Sequence, residues 1–109
     1  MRRDEIPPGT LHLLILKTLA KAGELHGYEI AESIARWSDG VLHVEEGSLY
    51  PALQRMLVKG WVTAEWDTTA ENRRARYYRI TPTGRKQLQA EVSQFERVFQ
   101  AITQVIQTA

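Results

Sequence analysis

Apolar residues in the first part of the chain recur at helical spacing, in stretches separated by glycines. One stretch follows Thr10, a candidate N-cap residue, and ends at Gly23, a residue type that commonly stops a helix. A second stretch runs from Gly27 to Trp37 and places its apolar residues on one side. Spacings of three and four residues are typical of amphipathic helices. The pattern therefore predicts two helices here, each with one buried face.

A third helix is predicted to begin around Gly47 or Ser48 and to stop at Gly60. Its apolar positions fall on one face. They are Leu49, Ala52, Leu53, Met56 and Leu57. The opposite face carries hydrogen-bond donors and positive charge without any acid, and consists of Ser48, Pro51, Gln54, Arg55 and Lys59. Proline is compatible with the first turn of a helix, because the amides there have no intrahelical partner to lose.

The spacing of apolar residues changes from helical to alternating after the third helix. Residues 61–66 are rich in β-favouring types, and the alternation places Val62, Ala64 and Trp66 on one side. Residues 76–81 have the same character and follow a polar segment. The pattern predicts a β-hairpin.

A last helix is predicted to begin at Thr81, an N-cap residue, with Pro82 at the first helical position. Its apolar residues repeat every seven positions, a spacing typical of helices that pack against other helices. They are Leu88, Val92, Phe95, Phe99, Ile102 and Ile106. Since three helices and a hairpin already close a small core, we expect this stripe to form a dimer interface. Folding back onto its own domain is the alternative.

The order of three helices, a two-stranded β-wing and a long helix defines an α+β, mainly α fold, the winged helix-turn-helix. We expect three regions along the chain. Residues 1–9 form a flexible N-terminal arm, residues 10–81 a winged-helix DNA-binding domain, and residues 82–109 a C-terminal dimerisation helix. A chain of 109 residues has room for one such domain.

Composition argues against an enzyme. The chain has no cysteine, and its three histidines are isolated from one another, so no metal site is expected. A nucleophile elbow and a glycine-rich phosphate loop are both missing, and we expect no cofactor. Because no apolar run approaches the roughly 20 residues that cross a bilayer, and the N-terminus does not resemble a secretory signal, we expect a cytoplasmic protein without membrane contact.

Positive charge is concentrated in one part of the chain. The whole protein has a net charge of +1, but residues 70–86 contain six basic residues against one acid. The basic residues are Arg73, Arg74, Arg76, Arg79, Arg85 and Lys86. Such a stretch can bind a polyanion, and it can also be an ordinary solvated hairpin. Charge alone leaves both interpretations open.

In a helix-turn-helix the second helix of the pair enters the major groove of DNA, here the helix that contains Ser48–Lys59. Gly47 would allow a tight turn into that helix and a close approach of phosphate to the backbone. Gln54 and Arg55 lie where side chains reach base edges, and they suit adenine and guanine respectively. Lys59 is expected at phosphate, together with the hairpin arginines Arg73, Arg74 and Arg76. Arg73 or Arg74 at the wing tip could instead reach a minor groove.

Three ordered motifs resemble those of PadR-family transcriptional regulators. They are Gly47–Leu53 followed by Lys59–Val62, Arg76–Gly84 at the second wing strand, and His26–Ile30 at the start of the second helix. The resemblance covers residues 10–88. With one C-terminal helix, the chain is similar to the short subclass of the family.

The resemblance implies a homodimer joined through the C-terminal helix, usually with contacts from the N-terminal helix, that represses genes from a palindromic operator. It also implies that Tyr28, Ser48, Tyr50 and the basic wing residues lie at the surface of double-stranded DNA. The other interpretation of the two tyrosines is that they are half-buried core residues. A winged helix that binds another protein without contacting DNA is the alternative function.

The remaining aromatic residues are expected in packed positions, namely Trp37, Trp61 and Trp66 in the core or an interface. Phe95 and Phe99 lie on the dimer stripe. Some PadR-family members bind planar aromatic compounds between subunits, so a small aromatic effector at the dimer interface is a further interpretation of these phenylalanines. Packing alone is the simpler one.

Overall fold

The computed structural model describes residues 4–7 and 9–109. Within them the chain forms four helices, α1 (Leu11–Ala22), α2 (Gly27–Trp37), α3 (Glu46–Val58) and α4 (Pro82–Ile106). It also forms five strands, β1 (Asp4–Glu5), β2 (Glu24–His26), β3 (Leu42–His43), β4 (Val62–Thr68) and β5 (Arg74–Ile80). The predicted fold class, a mainly helical winged helix, is confirmed.

The wing is an antiparallel hairpin of β4 and β5, whose register runs from the Val62–Ile80 pair to the Thr68–Arg74 pair. A short third strand, β2, pairs with the other edge of β5, so the strand order is β2-β5-β4. This strand was not predicted, because three residues between two helices are too few to show an alternating pattern. It ties the start of α2 to the wing.

The core lies between the first three helices and the root of the wing. The predicted apolar face of α3 is buried there, with Leu57 partly buried at its edge. The largest fully buried apolar side chains are Ile15, Leu16, Leu19, Ile30, Leu49, Leu53, Met56 and Val62. Burial of this set supplies the main driving force for folding.

The segment before α1 has a backbone partner that the sequence did not predict. Strand β1 pairs in parallel with β3, which joins part of the expected flexible arm to the loop after α2. Residues 1–3 and 8 of that arm lie outside the described residues.

Thr81 and Thr10, the two predicted N-cap residues, behave differently. The Thr81 hydroxyl accepts a hydrogen bond from the Gly84 amide (3.0 Å), and Pro82 is the first residue of α4, as predicted. The Thr10 hydroxyl makes no cap hydrogen bond and instead donates to the carbonyl of Pro7 (2.7 Å). The threonine before α1 therefore closes the preceding turn.

Helix α3 begins at Glu46, slightly before the predicted start. Pro51 is therefore the sixth residue of the helix, and its expected position in the first turn is wrong. Because proline has no N–H, the carbonyl of Gly47 lacks its usual intrahelical donor.

Helix α4 starts against the domain and then extends away from it. Leu88 packs against the domain's own core, which corrects its predicted place in the dimer stripe, and Val92 is half-buried. The reason is that the first turns of α4 lie along α1. From Phe95 onward the large apolar side chains of α4 are exposed, namely Phe95, Val98, Phe99, Ile102, Val105 and Ile106.

Candidate nucleic-acid interface

A groove of about 1030 Å³ separates the wing from the helices. Its walls are the start of α2, one flank of α3 and the outer part of the hairpin. Aromatic and cationic side chains dominate these walls, among them Tyr28, Tyr50, Trp66, Arg73, Arg74 and Arg76. Several of the residues that the sequence predicted at DNA are therefore brought together in one concave surface.

A histidine fixes the helical wall of the groove. The backbone N–H of Glu29 donates to His26 Nδ1 (3.4 Å), and the His26 N–H donates to Glu29 Oε1 (3.1 Å), which completes a capping box. The His26 ring also packs edge-on against Tyr77 of β5, with 5.3 Å between ring centroids. Sequence reasoning missed this cap because histidine is not a preferred N-cap residue.

Tyr28 and Tyr50 lie at the groove and outside the core. Tyr28 follows the α2 cap and is 66% exposed, while Tyr50 is 47% exposed. The Tyr50 ring leans on the start of α2, where a Cβ added to Gly27 would lie 2.7 Å from the Tyr50 hydroxyl. Gly27 thus makes room for the phenol. The alternative interpretation of the two tyrosines, as half-buried core residues, is wrong.

The polar face of α3 is exposed as predicted, but it divides into two flanks. Tyr50 and Gln54 line the groove. Arg55 and Lys59 are exposed on the other flank, close enough to His12 of α1 to affect its pKa. The two residues predicted to read bases, Gln54 and Arg55, therefore point along different sides of the same helix.

The start of α3 is open to a ligand. Gly47, Ser48 and Pro51 are all exposed, and nothing lies within 4 Å of a Cβ placed on Gly47. Gly47 has no positive φ, so the predicted tight turn at this residue is wrong, because the chain is already helical from Glu46. The N-cap residue Glu45 makes no side-chain cap hydrogen bond. No N-cap side chain therefore bonds to the first amides of the helix, although the Ser48 amide donates to the backbone carbonyl of Glu45 (3.0 Å).

Trp66 is 59% exposed and faces the groove, so of its two predicted environments, the core or an interface, the core is wrong. It does share a strand face with Val62 and Ala64, but the wing extends beyond the core after Ala64, and burial ends there. The guanidinium carbons of Arg74 and Arg76 lie 5.0 and 6.0 Å from the centroid of the Trp66 ring system. This cluster is the main feature of the groove that the sequence did not predict.

The basic residues of the hairpin lie in two different environments. Arg73, Arg74 and Arg76 line the groove. Arg79 lies on the wing next to β2 and donates to Glu24 Oε2 (3.1 Å). Only part of the positive stretch is therefore presented to a ligand in the groove.

His12 lies at the other flank of α3, in contact with Trp61. The two rings meet edge-on at 5.9 Å, and Lys59 Nζ lies 4.7 Å from the centroid of the Trp61 ring system. The buried Nε2 of His12 has no hydrogen-bond partner among the described residues. Burial lowers the pKa of His12 below its ordinary value of 6.5, and the charge of Arg55 lowers it further, while Glu91 opposes the shift.

The protein is expected to lose stability as the pH falls below about 6.5, because the unfolded chain then binds a proton at His12 that the folded protein resists. The loss should level off below the depressed pKa of the folded protein. Urea unfolding at about pH 7.5 and about pH 5.5 measures it, and His12→Gln should lose less between the two. All other ionisable groups are the same in the two proteins, so the comparison isolates His12. An equal loss in the two proteins contradicts the prediction.

The described part of the chain offers neither a cluster of metal ligands nor a helix that could cross a membrane. No three histidine or acidic side chains there are grouped closely enough to hold a metal ion. None of the helices there has the length and apolar character needed to span a bilayer.

Comparison with known proteins gives a consistent picture. The family described as "Transcriptional regulator PadR-like family" matches residues 15–90, which is more than half of the chain. A transcriptional regulator from Clostridium thermocellum is 29% identical and superposes with a TM-score of 0.80, over 88% of this chain and 92% of that one. A PadR-like transcriptional regulator from Bacillus cereus is 26% identical, with a TM-score of 0.76 over 93% and 95% of the two chains.

A more distant structure supports the fold alone. The PadR protein of Bacillus subtilis, solved in complex with operator DNA, is 24% identical, with a TM-score of 0.68. The match covers 80% of this chain and 48% of that one.

Proposed function

This chain belongs to the PadR-like family of transcriptional regulators, and on that premise we propose that it binds double-stranded DNA as a homodimer and represses transcription from a palindromic operator. One observation carries the proposal. One flank of α3, with Tyr50 and Gln54, borders the same groove as three wing arginines, and none of the three arginines pairs with a carboxylate of the described residues. A protein that binds a polyanion needs cations held in this way.

In this proposal α3 enters the major groove and the wing follows the adjacent backbone. Ser48, Tyr28 and Tyr50 bind phosphate near the starts of α3 and α2. At α3, whose N-cap side chain makes no hydrogen bond, the helix dipole also favours an anion. Gln54 and Arg55 read base edges from the two flanks of α3. Lys59 contacts phosphate, as do the three arginines Arg73, Arg74 and Arg76.

The exposed part of the α4 stripe supports the homodimer. Phe95 and Phe99 stack with 5.8 Å between ring centroids, and both remain open to solvent, as do Ile102 and Ile106 farther along the helix. A row of large apolar side chains of this kind is typical of a surface that another helix covers. Two copies joined here would present their α3 helices to half-sites about one helical turn apart. A planar aromatic effector between the subunits stays a prediction.

The salt dependence of binding separates this proposal from a winged helix that binds only another protein. Two copies with four such cations each, the three wing arginines and Lys59, make about eight phosphate contacts. The logarithm of the affinity for a DNA duplex should therefore fall against that of the salt concentration with a slope of about −7. Replacing Arg73, Arg74 and Arg76 by alanine together should remove most of that slope, whereas Arg79→Ala, which changes an arginine paired with Glu24, should leave most of it. Failure of the unaltered protein to bind duplex at low salt would favour the protein-binding alternative.

A further inference from the structure

We infer that Trp66 is a positioning residue for DNA binding, whose ring holds the guanidinium groups of Arg74 and Arg76 in the orientation in which they bind phosphates. The inference rests on the proposed function and assigns a role to a residue that neither the motifs nor the charge pattern of the sequence singled out. One exposed tryptophan and two arginines lie side by side on the groove side of the wing.

The register of the hairpin brings the three side chains together. Trp66 on β4 pairs directly with Arg76 on β5, and Thr68 pairs with Arg74. Arg74 is therefore the diagonal neighbour of Trp66 on the same face of the sheet, within reach of a long side chain. Both guanidinium carbons lie within about 6 Å of the ring centroid, which is the range of a favourable cation–π contact.

Stacking leaves the arginines able to bind a second group. A guanidinium lies flat against an aromatic face and keeps its N–H donors in its own plane, where they can reach phosphate oxygens. Long side chains lose rotamer freedom when they bind, and side chains already held in place lose less of it. Trp66 therefore raises DNA affinity without contributing any charge.

Arg76 and Tyr78 are two residues apart on β5, so they share a face of the strand, and both line the groove. Burial raises the pKa of the Tyr78 hydroxyl, and the positive charge of Arg76 opposes that rise. Arg76 is half-buried, whereas Arg74 is exposed. Tyr78, Arg76 and Arg74 thus follow one another along one face of β5 toward the wing tip. The ring of Trp66 on β4 contacts the last two.

Core packing does not account for this tryptophan. Trp66 lies beyond the buried part of β4 and exposes more than half of its surface. Its ring system contacts the guanidinium groups of Arg74 and Arg76, so the residue has two cationic neighbours on the groove side of the wing. A large apolar ring that is exposed to water is unfavourable. Its contact with two cations in the proposed DNA groove gives a reason for a tryptophan at this position.

The test measures binding of the full-length protein to a random-sequence DNA duplex of about three helical turns, at several salt concentrations. Trp66→Ala should weaken binding by about three- to tenfold and flatten the salt slope, although it removes no charge. Trp66→Tyr should keep most of the affinity, because it retains an aromatic face. In a background in which Arg74 and Arg76 are both alanine, Trp66→Ala should have no further effect.

Trp37→Ala is the matched control. Trp37 is also partly exposed and stacks with a cation, Lys21 Nζ at 5.5 Å from its ring centroid, but it does not line the groove. This substitution should leave the affinity and the salt slope unchanged.

Any other result would reject either the role of Trp66 or the proposed function. An unchanged salt slope, or an equal loss with and without the two arginines, would show that the ring contacts DNA itself or serves only the fold, and would overturn the inference. Absence of duplex binding by the unaltered protein would overturn the proposed function and this inference with it. If Trp66→Ala does not fold, as judged by circular dichroism, Trp66→Tyr and Trp66→Phe carry the same comparison, and loss of the slope in both of them overturns the role of the aromatic face.

Discussion

Replacing Phe95 and Phe99 together by aspartate is expected to convert the protein into a monomer and to weaken its DNA binding by about 10²- to 10⁴-fold. Both rings are exposed on one face of α4, and they stack on each other. In a dimer two carboxylates in each copy would be buried against an apolar surface without partners, which is strongly unfavourable. A monomer then binds one half-site and loses the effective concentration that the second half-site provides.

Sedimentation measures the oligomeric state, and a matched pair of substitutions tests the face of the helix. Gln100→Asp together with Gln104→Asp adds the same charges to α4 at exposed positions on its other side. That variant should remain dimeric. An unchanged oligomer in the phenylalanine variant, or an equal loss in both variants, would remove this stripe from the interface.

Gly84→Ala is expected to lower the free energy of unfolding by about 1–3 kcal/mol. Gly84 is buried in the first turn of α4, and a Cβ there would collide with the backbone carbonyl of Trp61 and lie 2.8 Å from Ile80 Cγ1. The Trp61 carbonyl also accepts a hydrogen bond from the Thr81 amide (3.0 Å), so it cannot move away without breaking the junction between the wing and α4. Helix propensity alone predicts the opposite sign, because alanine stabilises a helix interior by about 1 kcal/mol relative to glycine.

Gly47→Ala provides the control for that measurement. Gly47 is also helical, but a Cβ at this position meets nothing within 4 Å. Urea unfolding should therefore show Gly47→Ala to be at least as stable as the unaltered protein. If Gly84→Ala is equally stable, the close packing of α4 against Trp61 is wrong.

The helices and the hairpin could be predicted from the sequence because each has a regular pattern of buried residues. Leu49, Leu53 and Met56 are spaced as one helical face must be, and they are in the core. The change to alternation at Trp61 marks the wing for the same reason. These features depend on local periodicity, which a single sequence contains in full.

The features that were missed depend on tertiary geometry. Alternation indicates that Trp66 shares a face with Val62, but it does not indicate where the core ends along the strand. The ion pair between Arg79 and Glu24 joins residues 55 positions apart. The sequence therefore could not indicate which basic residues of the hairpin face the groove and which one pairs with β2.

Leu88 illustrates the same limit within one helix. Its seven-residue spacing matches that of the exposed stripe, yet it packs on the core because the first turns of α4 lie against α1. A repeat identifies the face of a helix, whereas the neighbouring elements determine which part of that face is already covered. The candidate dimer surface is accordingly shorter than the sequence predicted.

The central claim is that two copies of this chain read one symmetric DNA sequence, and selection from a pool of random duplexes tests it most directly. Repeated capture by the intact protein should enrich a two-fold symmetric sequence whose half-sites lie about one helical turn apart. The Phe95→Asp and Phe99→Asp variant should not enrich it. If the intact protein enriches no sequence above the starting pool, or enriches a single half-site without symmetry, the claim is wrong.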